Sequence, residues 1–356
     1  MLERISKLRE LLEGEHSSIL ITSDVNRLYF SGFKSSAGAV FVTKNTAVLL
    51  VDFRYYEAAV NSVGSEIDVI CYKKIFDSLN DIILDENIKS VIIEDDDVTV
   101  SRLSVLNKEI KAEIITNFSL SDKILNFRMI KSEQEIDKIV TAQKIAEKSY
   151  LQLLNSIKQG VTERELAVEL EYLMKKNGAE RVAFELITIS GRNTSLPHGV
   201  PSDKKLCNGD FITFDIGAVY DGYHSDMTRT VALSYATDEM KEIYDIVLQA
   251  HLKAAERIVV NNTCADVDNA ARDYITSKGY GEYFGHTTGH GVGLEIHEKP
   301  TVYKTEKIQL ESGMIITDEP GIYLPSKFGV RIEDMYLVTD NGPKDLAFID
   351  KELIIL

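Results

Sequence analysis

The sequence predicts an α+β protein with two domains, an α/β domain over residues 1–125 and a larger domain over residues 126–356. A chain of 356 residues is long enough to bury two substantial hydrophobic cores. In the first part, short β-rich runs alternate with helical patterns, which is typical of an α/β fold. Beyond residue 126, long amphipathic helices are interleaved with β-rich runs, and the helices are expected to cover one side of a curved sheet.

The elements of the first domain follow from apolar runs and turn signals. The predicted elements are an amphipathic helix at the N-terminus, a buried strand over 18–22, a hairpin of strands 39–43 and 46–52, a helix over 54–60 and a strand from 91. The acidic run Glu94-Asp95-Asp96-Asp97 follows and is predicted to be a solvated loop, because consecutive carboxylates repel one another. This part of the sequence shows no group of residues typical of a catalytic site, so we expect it to form one wall of the site or to mediate assembly.

The second domain opens with a capping box, Ser132-x-x-Glu135, which predicts the start of a long helix. Gly160 is expected to end this helix, and a second capping box at Thr162 predicts the next one. Further helices are predicted over 238–260 and 265–278, and strands over 184–190, 211–219, 227–233, 314–319 and 331–339.

Two matched segments of the second domain each carry a pair of carboxylates, which indicates an internal repeat. In the first segment an apolar run ends at Asp215, and Asp226 follows. In the second an apolar run ends at Glu319, Pro-Gly comes next, and Glu333 follows. A carboxylate that is buried at a strand end needs a partner, because desolvation otherwise neutralises it. Two similar hairpins can therefore bring four acids together on cations; the alternative is four separate strand-end acids that face water.

Composition limits the partners and the compartment. Charged residues make up 27% and hydrophobic residues 44%, as in an ordinary globular protein, and the net charge of -16 argues against a nucleic-acid partner. No run of about 18 apolar residues is present, so no membrane span is predicted. Three widely spaced cysteines, Cys71, Cys207 and Cys264, favour neither disulfides nor a thiolate metal site, and they fit a cytoplasmic protein.

Histidine is concentrated in one stretch of the second domain. His286, His290 and His297 fall within twelve residues, and His198 lies in a separate Leu-Pro-His-Gly sequence. Histidine is the commonest neutral metal ligand and a physiological acid or base. The stretch contains neither a phosphate-binding glycine motif nor HExxH, so a nucleotide site and a helix-borne zinc site are not predicted. Its glycines are expected to let the backbone approach a crowded site closely.

These motifs resemble those of the pita-bread metallopeptidases. The matching strings are Asp-Ile-Gly-Ala, Ser-Asp-Met-Thr-Arg-Thr, Thr-Gly-His-Gly-Val-Gly-Leu-Glu-Ile-His-Glu-Lys-Pro, Glu-Pro-Gly-Ile-Tyr and Gly-Val-Arg-Ile-Glu-Asp. They stand in the order of the proline-specific branch, the Xaa-Pro dipeptidases (prolidases) and Xaa-Pro aminopeptidases. Residues 26–33 and 51–55 resemble the creatinase-like N-terminal domain of that branch. The resemblance implies a pita-bread catalytic domain that follows an α/β accessory domain.

The resemblance implies five metal ligands: Asp215, Asp226, His290, Glu319 and Glu333. One imidazole and four carboxylates suit Mn²⁺ as the first choice, with Co²⁺, Fe²⁺ or Zn²⁺ as other candidates. Five ligands are too many for a single catalytic ion that keeps open positions, so two divalent ions are expected. By resemblance, Asp226 and Glu333 bridge the ions, Asp215 holds one, and His290 with Glu319 holds the other.

The implied reaction is hydrolysis of the Xaa-Pro bond at the N-terminus of dipeptides or short peptides by a metal-bridged hydroxide. Glu319 is the candidate to relay the proton of that water. The resemblance places His297 at the substrate carbonyl and His198 at the amide or the leaving group. It places His286 and Arg331 in the pocket near the proline. It also implies a homodimer in which the N-terminal domain of one subunit lies near the active site of the other.

One residue departs from the pattern of the family. Asp318 precedes Glu319 at a position where an apolar residue is expected. Strand alternation predicts that its side chain points away from that of Glu319, so the departure affects the surroundings of the site and leaves the ligand set intact.

Two other functions stay open at this point. Methionine aminopeptidases share the fold and the ligands, but the additional domain over residues 1–125 argues against them. The second alternative is a metal-free relative that serves as a binding module; loss of ligands would mark it, and all five ligands are present in the sequence. Metal analysis of the purified protein separates these possibilities.

Overall fold

The computed structural model describes residues 2–356, and the chain divides into two compact units. The first unit extends to Phe127, and the second extends from Arg128 to Leu356. Each unit buries its own clusters of hydrophobic side chains.

The first unit is built on one six-stranded mixed sheet. Its strands are β1 (Ser17–Ile21), β2 (Ala39–Val42), β3 (Ala47–Val51), β4 (Asp68–Cys71), β5 (Ser90–Ile93) and β6 (Glu113–Ile115). Its helices are α1 (Leu2–Glu10), α2 (Asp24–Ser31), α3 (Phe53–Ser62), α4 (Ile75–Asp85), α5 (Val100–Glu109) and α6 (Leu120–Met129), the last of which crosses the boundary between the units. The strand order is β4-β3-β2-β1-β5-β6, and β2 runs antiparallel to both of its neighbours.

The predicted hairpin of the first unit is confirmed by the antiparallel pairing of β2 with β3. The prediction of a fully solvated acidic run is wrong for its first residue, because Glu94 is completely buried. The Glu94 carboxylate accepts hydrogen bonds from the backbone N–H groups of Thr22 (2.6 Å) and Ser23 (2.9 Å) and from the Asn26 amide (2.7 Å). These donors lie at the start of α2, where unpaired N–H groups favour an anion.

The second unit combines four long helices with several short sheets. Its helices are α7 (Glu133–Leu153), α8 (Glu163–Lys176), α9 (Asp238–Ala255) and α10 (Cys264–Ser277). Its strands are β7 (Arg181–Val182), β8 (Ile187–Ser190), β9 (Phe211–Ile216), β10 (Ala218–Tyr220), β11 (Tyr223–His224), β12 (Met227–Ala232), β13 (Gly289–Gly291), β14 (Glu298–Val302), β15 (Ile315–Asp318), β16 (Gly321–Leu324), β17 (Phe328–Arg331), β18 (Asp334–Thr339) and β19 (Gly342–Asp345). The sheet orders are β12-β9-β8, β11-β10-β7, β14-β13-β15-β18-β19 and β16-β17.

The two acid-bearing segments fold as matching pairs of antiparallel strands. β9 pairs with β12, and β15 pairs with β18. In each case the connection is itself a hairpin, β10–β11 in the first segment and β16–β17 in the second. A bridge between Thr228 and Glu333 joins one strand pair to the other. The predicted repeat is therefore confirmed, and the bridge brings its two copies into contact.

The first long helix of the second unit ends earlier than predicted. α7 stops at Leu153, so the prediction that Gly160 ends it is wrong. The side-chain amide of Asn155 donates to the carbonyl of Gln152 (3.3 Å), and the Ser156 hydroxyl donates to Glu169 (2.7 Å). Such side-chain hydrogen bonds compete with the helical backbone and favour a turn.

Several other elements are shorter than predicted, among them α9, which ends at Ala255, and β8, which begins at Ile187. Both predicted capping boxes of the second unit are present. Among residues 2–356, no helix combines the length and the apolar character that a membrane crossing requires.

Candidate metal centre

Four of the five predicted metal ligands converge where the two strand pairs meet. Asp226, His290 and Glu333 each offer a ligand atom, and these atoms lie within 4.8 Å of one another. The Nε2 atom of His290 lies 3.5 Å from Oδ2 of Asp226 and 3.6 Å from Oε1 of Glu319. The ligand atoms of Asp226, His290 and Glu333 are therefore close enough to hold one cation, and Glu319 adjoins them through His290.

Asp215 adjoins this group through its charge and through Arg331. Its Oδ2 accepts a hydrogen bond of 2.5 Å from Nη2 of Arg331. Its negative charge is among the causes that raise the pKa of Asp226, Glu319 and Glu333. Asp215 thus belongs to the same electrostatic cluster, with one oxygen held by the guanidinium.

The local sequence explains how these side chains come to point inward. Glu319 directly follows β15, and its backbone N–H donates to the carbonyl of Thr288 (2.8 Å). Glu333 directly precedes β18, and its Oε2 accepts a hydrogen bond from the Thr228 hydroxyl (2.7 Å). The backbone of Glu319 and of Glu333 is therefore fixed at the end of a strand. Alternation of side chains along that strand determines the face of the sheet to which each carboxylate points.

His290 is oriented by hydrogen bonds at two positions. Its backbone N–H donates to the Thr317 hydroxyl (3.1 Å), and its Nδ1 lies 3.0 Å from the carbonyl oxygen of Gly291. A carbonyl oxygen can only accept a hydrogen bond, so Nδ1 carries the proton. The Nε2 atom, which faces the carboxylates, therefore has a free lone pair. A fixed Nδ1–H of this kind is the usual arrangement for a metal-binding histidine.

The glycines around His290 allow the close approach that the sequence predicts. A Cβ atom on Gly289 would lie 2.0 Å from the carbonyl oxygen of Thr317, and one on Gly291 would lie 2.1 Å from that of Lys299. Both distances are far below van der Waals contact. Only glycine therefore lets β13 lie between its two neighbouring strands in this geometry.

Burial and mutual repulsion set the protonation of the metal-free cluster. Burial, followed by the charges of neighbouring acids, raises the pKa of Asp226 and of Glu333 well above the ordinary range. Burial, together with the charges of Asp215 and Asp318, raises the pKa of Glu319 to about 8 despite the opposing charge of Arg331. Burial and then the neighbouring His297 lower the pKa of His290 to about 4. The cluster therefore holds protons that a divalent cation would replace.

The residues present fit a divalent metal. Within the described part of the chain, Oδ1 of Asp226 and Oδ1 of Asp215 are buried and have no hydrogen-bond partner. Buried carboxylate oxygens are normally paired or coordinate a metal. The donor set contains oxygen and one imidazole nitrogen without sulfur, which favours hard or borderline divalent ions.

The four predicted substrate-contacting residues lie around this cluster. The rings of His297 and His290 meet edge to face, with centroids 4.4 Å apart, and the His297 side chain is exposed. His198 is also exposed. Burial, and then the neighbouring Arg331, lower the pKa of His286 to about 4, and His198 is among the further groups that contribute. Arg331 is bound to Asp215 and also donates to the carbonyl of Pro197 (3.3 Å), the residue before His198.

Sequence reasoning missed Tyr323, which links two of these residues. Nδ1 of His286 donates to the carbonyl of Thr287 (2.7 Å), so Nε2 accepts from the Tyr323 hydroxyl (2.9 Å). The same hydroxyl accepts from Nη1 of Arg331 (2.8 Å). Burial raises the pKa of Tyr323 to about 12, so the hydroxyl keeps its proton. The tyrosine of Glu-Pro-Gly-Ile-Tyr was visible in the sequence, but its partners were not.

Glu163 was also missed, although it holds both ends of the segment that carries His198. Its Oε1 accepts from the backbone N–H (2.7 Å) and the hydroxyl (2.9 Å) of Ser190. Its Oε2 accepts from the backbone N–H (3.0 Å) and the hydroxyl (2.6 Å) of Ser202. Glu163 is completely buried, so these bonds fix the segment firmly.

Comparisons with known proteins agree with this geometry. Residues 137–340 match the model of Metallopeptidase family M24, and residues 4–130 match that of the Creatinase/Prolidase N-terminal domain. A relative described as Xaa-Pro dipeptidase, from Pyrococcus furiosus, is 40% identical over 356 residues, which cover 99% of this chain and 100% of the relative.

The chain is also similar over its whole length to solved structures. The structure of an Xaa-Pro dipeptidase from Bacillus anthracis matches with a TM-score of 0.95 and 41% identity, over 100% of this chain and 99% of that chain. An X-Pro aminopeptidase from Thermotoga maritima matches with a TM-score of 0.91 and 35% identity, over 99% of this chain and 100% of that chain.

The fold and the site define a metallopeptidase with a pita-bread domain and a creatinase-type N-terminal domain. The chain belongs to metallopeptidase family M24. The predicted resemblance, the predicted α+β fold class and the prediction of a metal-dependent hydrolase are thereby confirmed.

Proposed function

We propose that the protein hydrolyses the Xaa-Pro bond at the N-terminus of dipeptides or short peptides, and that it uses two divalent metal ions. The observation that carries the proposal is the convergence of Asp226, His290, Glu319 and Glu333 beside the hydrogen-bonded group of His286, Tyr323 and Arg331. The names of the relatives from Pyrococcus furiosus and Bacillus anthracis support the same substrate class. In this proposal residues 126–356 form the catalytic domain and residues 1–125 the accessory domain.

In our proposal the five ligands divide between two ions. Asp226 and Glu333 would serve both ions, Asp215 would hold one, and His290 with Glu319 would hold the other. Manganese is the first choice for an oxygen-rich set with one imidazole, and cobalt, iron or zinc are the other candidates. Divalent ions in such a site polarise the scissile carbonyl and lower the pKa of water.

The chain's own residues supply proton transfer and binding. Glu319 lies within the cluster, with Oε1 3.6 Å from Nε2 of His290, and it is assigned to relay a proton from water to the leaving amine. His297 lies beside His290 and is exposed, so it can donate a hydrogen bond to the substrate carbonyl. His198, on the segment held by Glu163, is assigned to the amide or the leaving group.

The proline side of the substrate is assigned to His286, Tyr323 and Arg331. Because their hydrogen bonds to one another are already formed, their positions are fixed before substrate binds. An Xaa-Pro bond is a tertiary amide with no N–H, so a site that needs this donor handles it poorly. The aromatic and cationic surface here recognises the ring by shape and requires no donor from the amide.

The substrate prediction is tested with the metal-loaded enzyme on Ala-Pro, Ala-Ala and N-acetyl-Ala-Pro. We expect Ala-Pro to be hydrolysed at least about tenfold faster than Ala-Ala, because the alanine side chain leaves the ring pocket empty. Hydrolysis of N-acetyl-Ala-Pro should be negligible, because acetylation removes the ammonium group that the acidic cluster attracts. Release of free amino acids is measured by chromatography, with each candidate metal added back in turn.

Ala-Ala is the matched control, since it keeps both termini and the length of Ala-Pro. Equal rates on the two dipeptides would contradict proline specificity. Preference for Met-Ala peptides would instead favour the methionine aminopeptidase alternative. Absence of bound metal and of hydrolysis would favour the metal-free binding module.

We also propose that the protein is a homodimer in which the N-terminal domain of one subunit lies near the active site of the other. Exposed apolar side chains on the first unit support an interface there, notably Phe53, which is 82% exposed, and Val100, which is 83% exposed. Light scattering at micromolar concentration is expected to give twice the mass of the chain. A fully active monomer would rule out this assembly.

A further inference from the structure

Two aspartates stand directly opposite each other on β15 and β18. Asp318 pairs with Asp334 across the strands, and each is adjacent in sequence to a candidate ligand, Glu319 or Glu333. Because side chains alternate along a strand, the aspartates lie on the side of the sheet that faces away from those ligands. Both aspartates are completely buried. Like charges that are directly opposite destabilise a strand pair, and exclusion of water strengthens the repulsion.

A histidine from α9 lies between these two carboxylates. Nδ1 of His251 lies 3.1 Å from Oδ2 of Asp318, and its Nε2 lies 3.2 Å from Oδ2 of Asp334. The Tyr336 hydroxyl lies 3.0 Å from the same Nε2. Burial lowers the pKa of His251, but the charges of Asp318 and Asp334 outweigh it and raise the pKa above its ordinary value. His251 therefore holds a proton between the strands more tightly than a free imidazole does.

The charges of the cluster balance when His251 and Asp318 are counted as a pair that shares one proton, because burial raises the pKa of Asp318 to about 7. Asp334 contacts Nη2 of Arg229 (2.7 Å) and Nζ of Lys351 (2.9 Å), and Lys351 also contacts Asp345 (2.6 Å). The two other carboxylates, Asp334 and Asp345, then match the two cations Arg229 and Lys351. Nδ1 of His251 also lies 3.1 Å from the backbone carbonyl oxygen of Asp318. Within the described residues, neither carboxyl oxygen of Asp318 has a hydrogen-bond partner, so the contact with His251 is what offsets the burial of this side chain.

We propose that His251 is a positioning residue for the metal centre, and this inference rests on the proposed function. Its contacts with both side chains hold Asp318 and Asp334 together, and they thereby fix the spacing of the strand ends that carry Glu319 and Glu333. Arg229 extends the same support, because it donates to the backbone carbonyl of Glu333 (2.8 Å) as well as to Asp334. None of the five candidate ligands lies on α9, so His251 acts on the centre through the two aspartates.

The proposal makes a specific statement about paired substitutions. Removal of the imidazole alone leaves the buried carboxyl group of Asp318 without its partner, which is costly and loosens the strand pair. Removal of that carboxyl group as well leaves no unpaired group behind, and Asp334 still keeps Arg229 and Lys351. Apolar residues at both positions 251 and 318 should therefore restore the metal affinity that a substitution at position 251 alone lowers.

The test is calorimetric titration of Mn²⁺ into metal-free protein. His251→Gln and His251→Leu are expected to weaken Mn²⁺ binding about 10- to 100-fold. This is the usual loss when a residue that orients metal ligands is substituted. The double variant His251→Leu/Asp318→Val is expected to return to within about threefold of the unmodified protein. Tyr336→Phe is the matched control, because it removes the hydroxyl at Nε2 and keeps every charge; it should bind Mn²⁺ like the unmodified protein. Melting temperatures in chelator are measured for each variant.

Unchanged Mn²⁺ binding in both single variants would overturn the inference while leaving the proposed function intact. A double variant as weak as His251→Leu, or an equal loss in Tyr336→Phe, would also overturn it. If the single variants fail to fold and the double variant folds, the same compensation is observed in stability, which supports the inference. An unmodified protein that binds no divalent ion would instead refute the proposed function, and the inference with it.

Discussion

Alanine in place of Glu333 is expected to abolish both metal binding and peptide hydrolysis, and Asp226→Ala should do the same. Each of these carboxylates is assigned to both ions, so one substitution weakens both sites at once. We expect the kcat/KM for Ala-Pro to fall by more than about 10³-fold, beyond the usual loss for one charge-stabilising group. Elemental analysis of the dialysed protein, in parallel with the activity assay, measures both effects.

His297→Ala is the control for these variants, since it removes a group beside the cluster that is not assigned as a ligand. It should lose turnover but keep its metal content, because His290 and the carboxylates remain. A His297→Ala protein emptied of metal would show that the assigned role is wrong. A Glu333→Ala protein with full metal content would contradict the ligand set itself.

Metal affinity is expected to rise steeply with pH. In the metal-free protein burial and neighbouring acids raise the pKa of Glu319 to about 8, and those of Asp226 and Glu333 are also raised. Below pH 8 a metal ion must displace at least one proton when it binds. The apparent dissociation constant should therefore increase by at least about tenfold for each unit by which the pH is lowered. Titration calorimetry between pH 6 and 8, in buffers of different ionisation enthalpy, counts the protons released.

The same shifts predict the opposite trend for stability without metal. An unfolded glutamate ionises near 4.5, while folded Glu319 does so near 8. The folded state therefore binds more protons between these values, and the stability that this provides is present below pH 4.5 and lost as pH rises through 8. The melting temperature in chelator should fall over this range. A pH-independent affinity with no proton release would show that the cluster is ionised before metal binds.

The candidate ligands could be proposed from the sequence because each lies in a short local motif. Asp215 and Glu319 end apolar runs, and each lies in a short motif whose spacing is visible along the chain. The repeated segments predict that their acids meet, and the bridge between Thr228 and Glu333 confirms the contact between the two strand pairs.

The surroundings of the site could not be predicted because they depend on pairings between distant residues. Glu163 lies inside the predicted capping box of Thr162 and Glu165 without being one of its two partners, and its carboxylate binds Ser190 and Ser202. Asp318 was correctly expected to face away from Glu319, but its partner His251 lies in a helix 67 residues earlier. No local pattern distinguishes a histidine that will meet two aspartates from one on a helix surface.

The bridge between Thr228 and Glu333 also determines how the protein responds to metal supply. The two halves of the centre are joined by residues 105 apart in the chain, so an unfolded chain offers no equivalent site. A ligand that binds only the folded state adds about 1.4 kcal/mol to the free energy of unfolding for each tenfold excess over its dissociation constant. We therefore expect removal of metal to lower the free energy of unfolding of the chain as well as its activity.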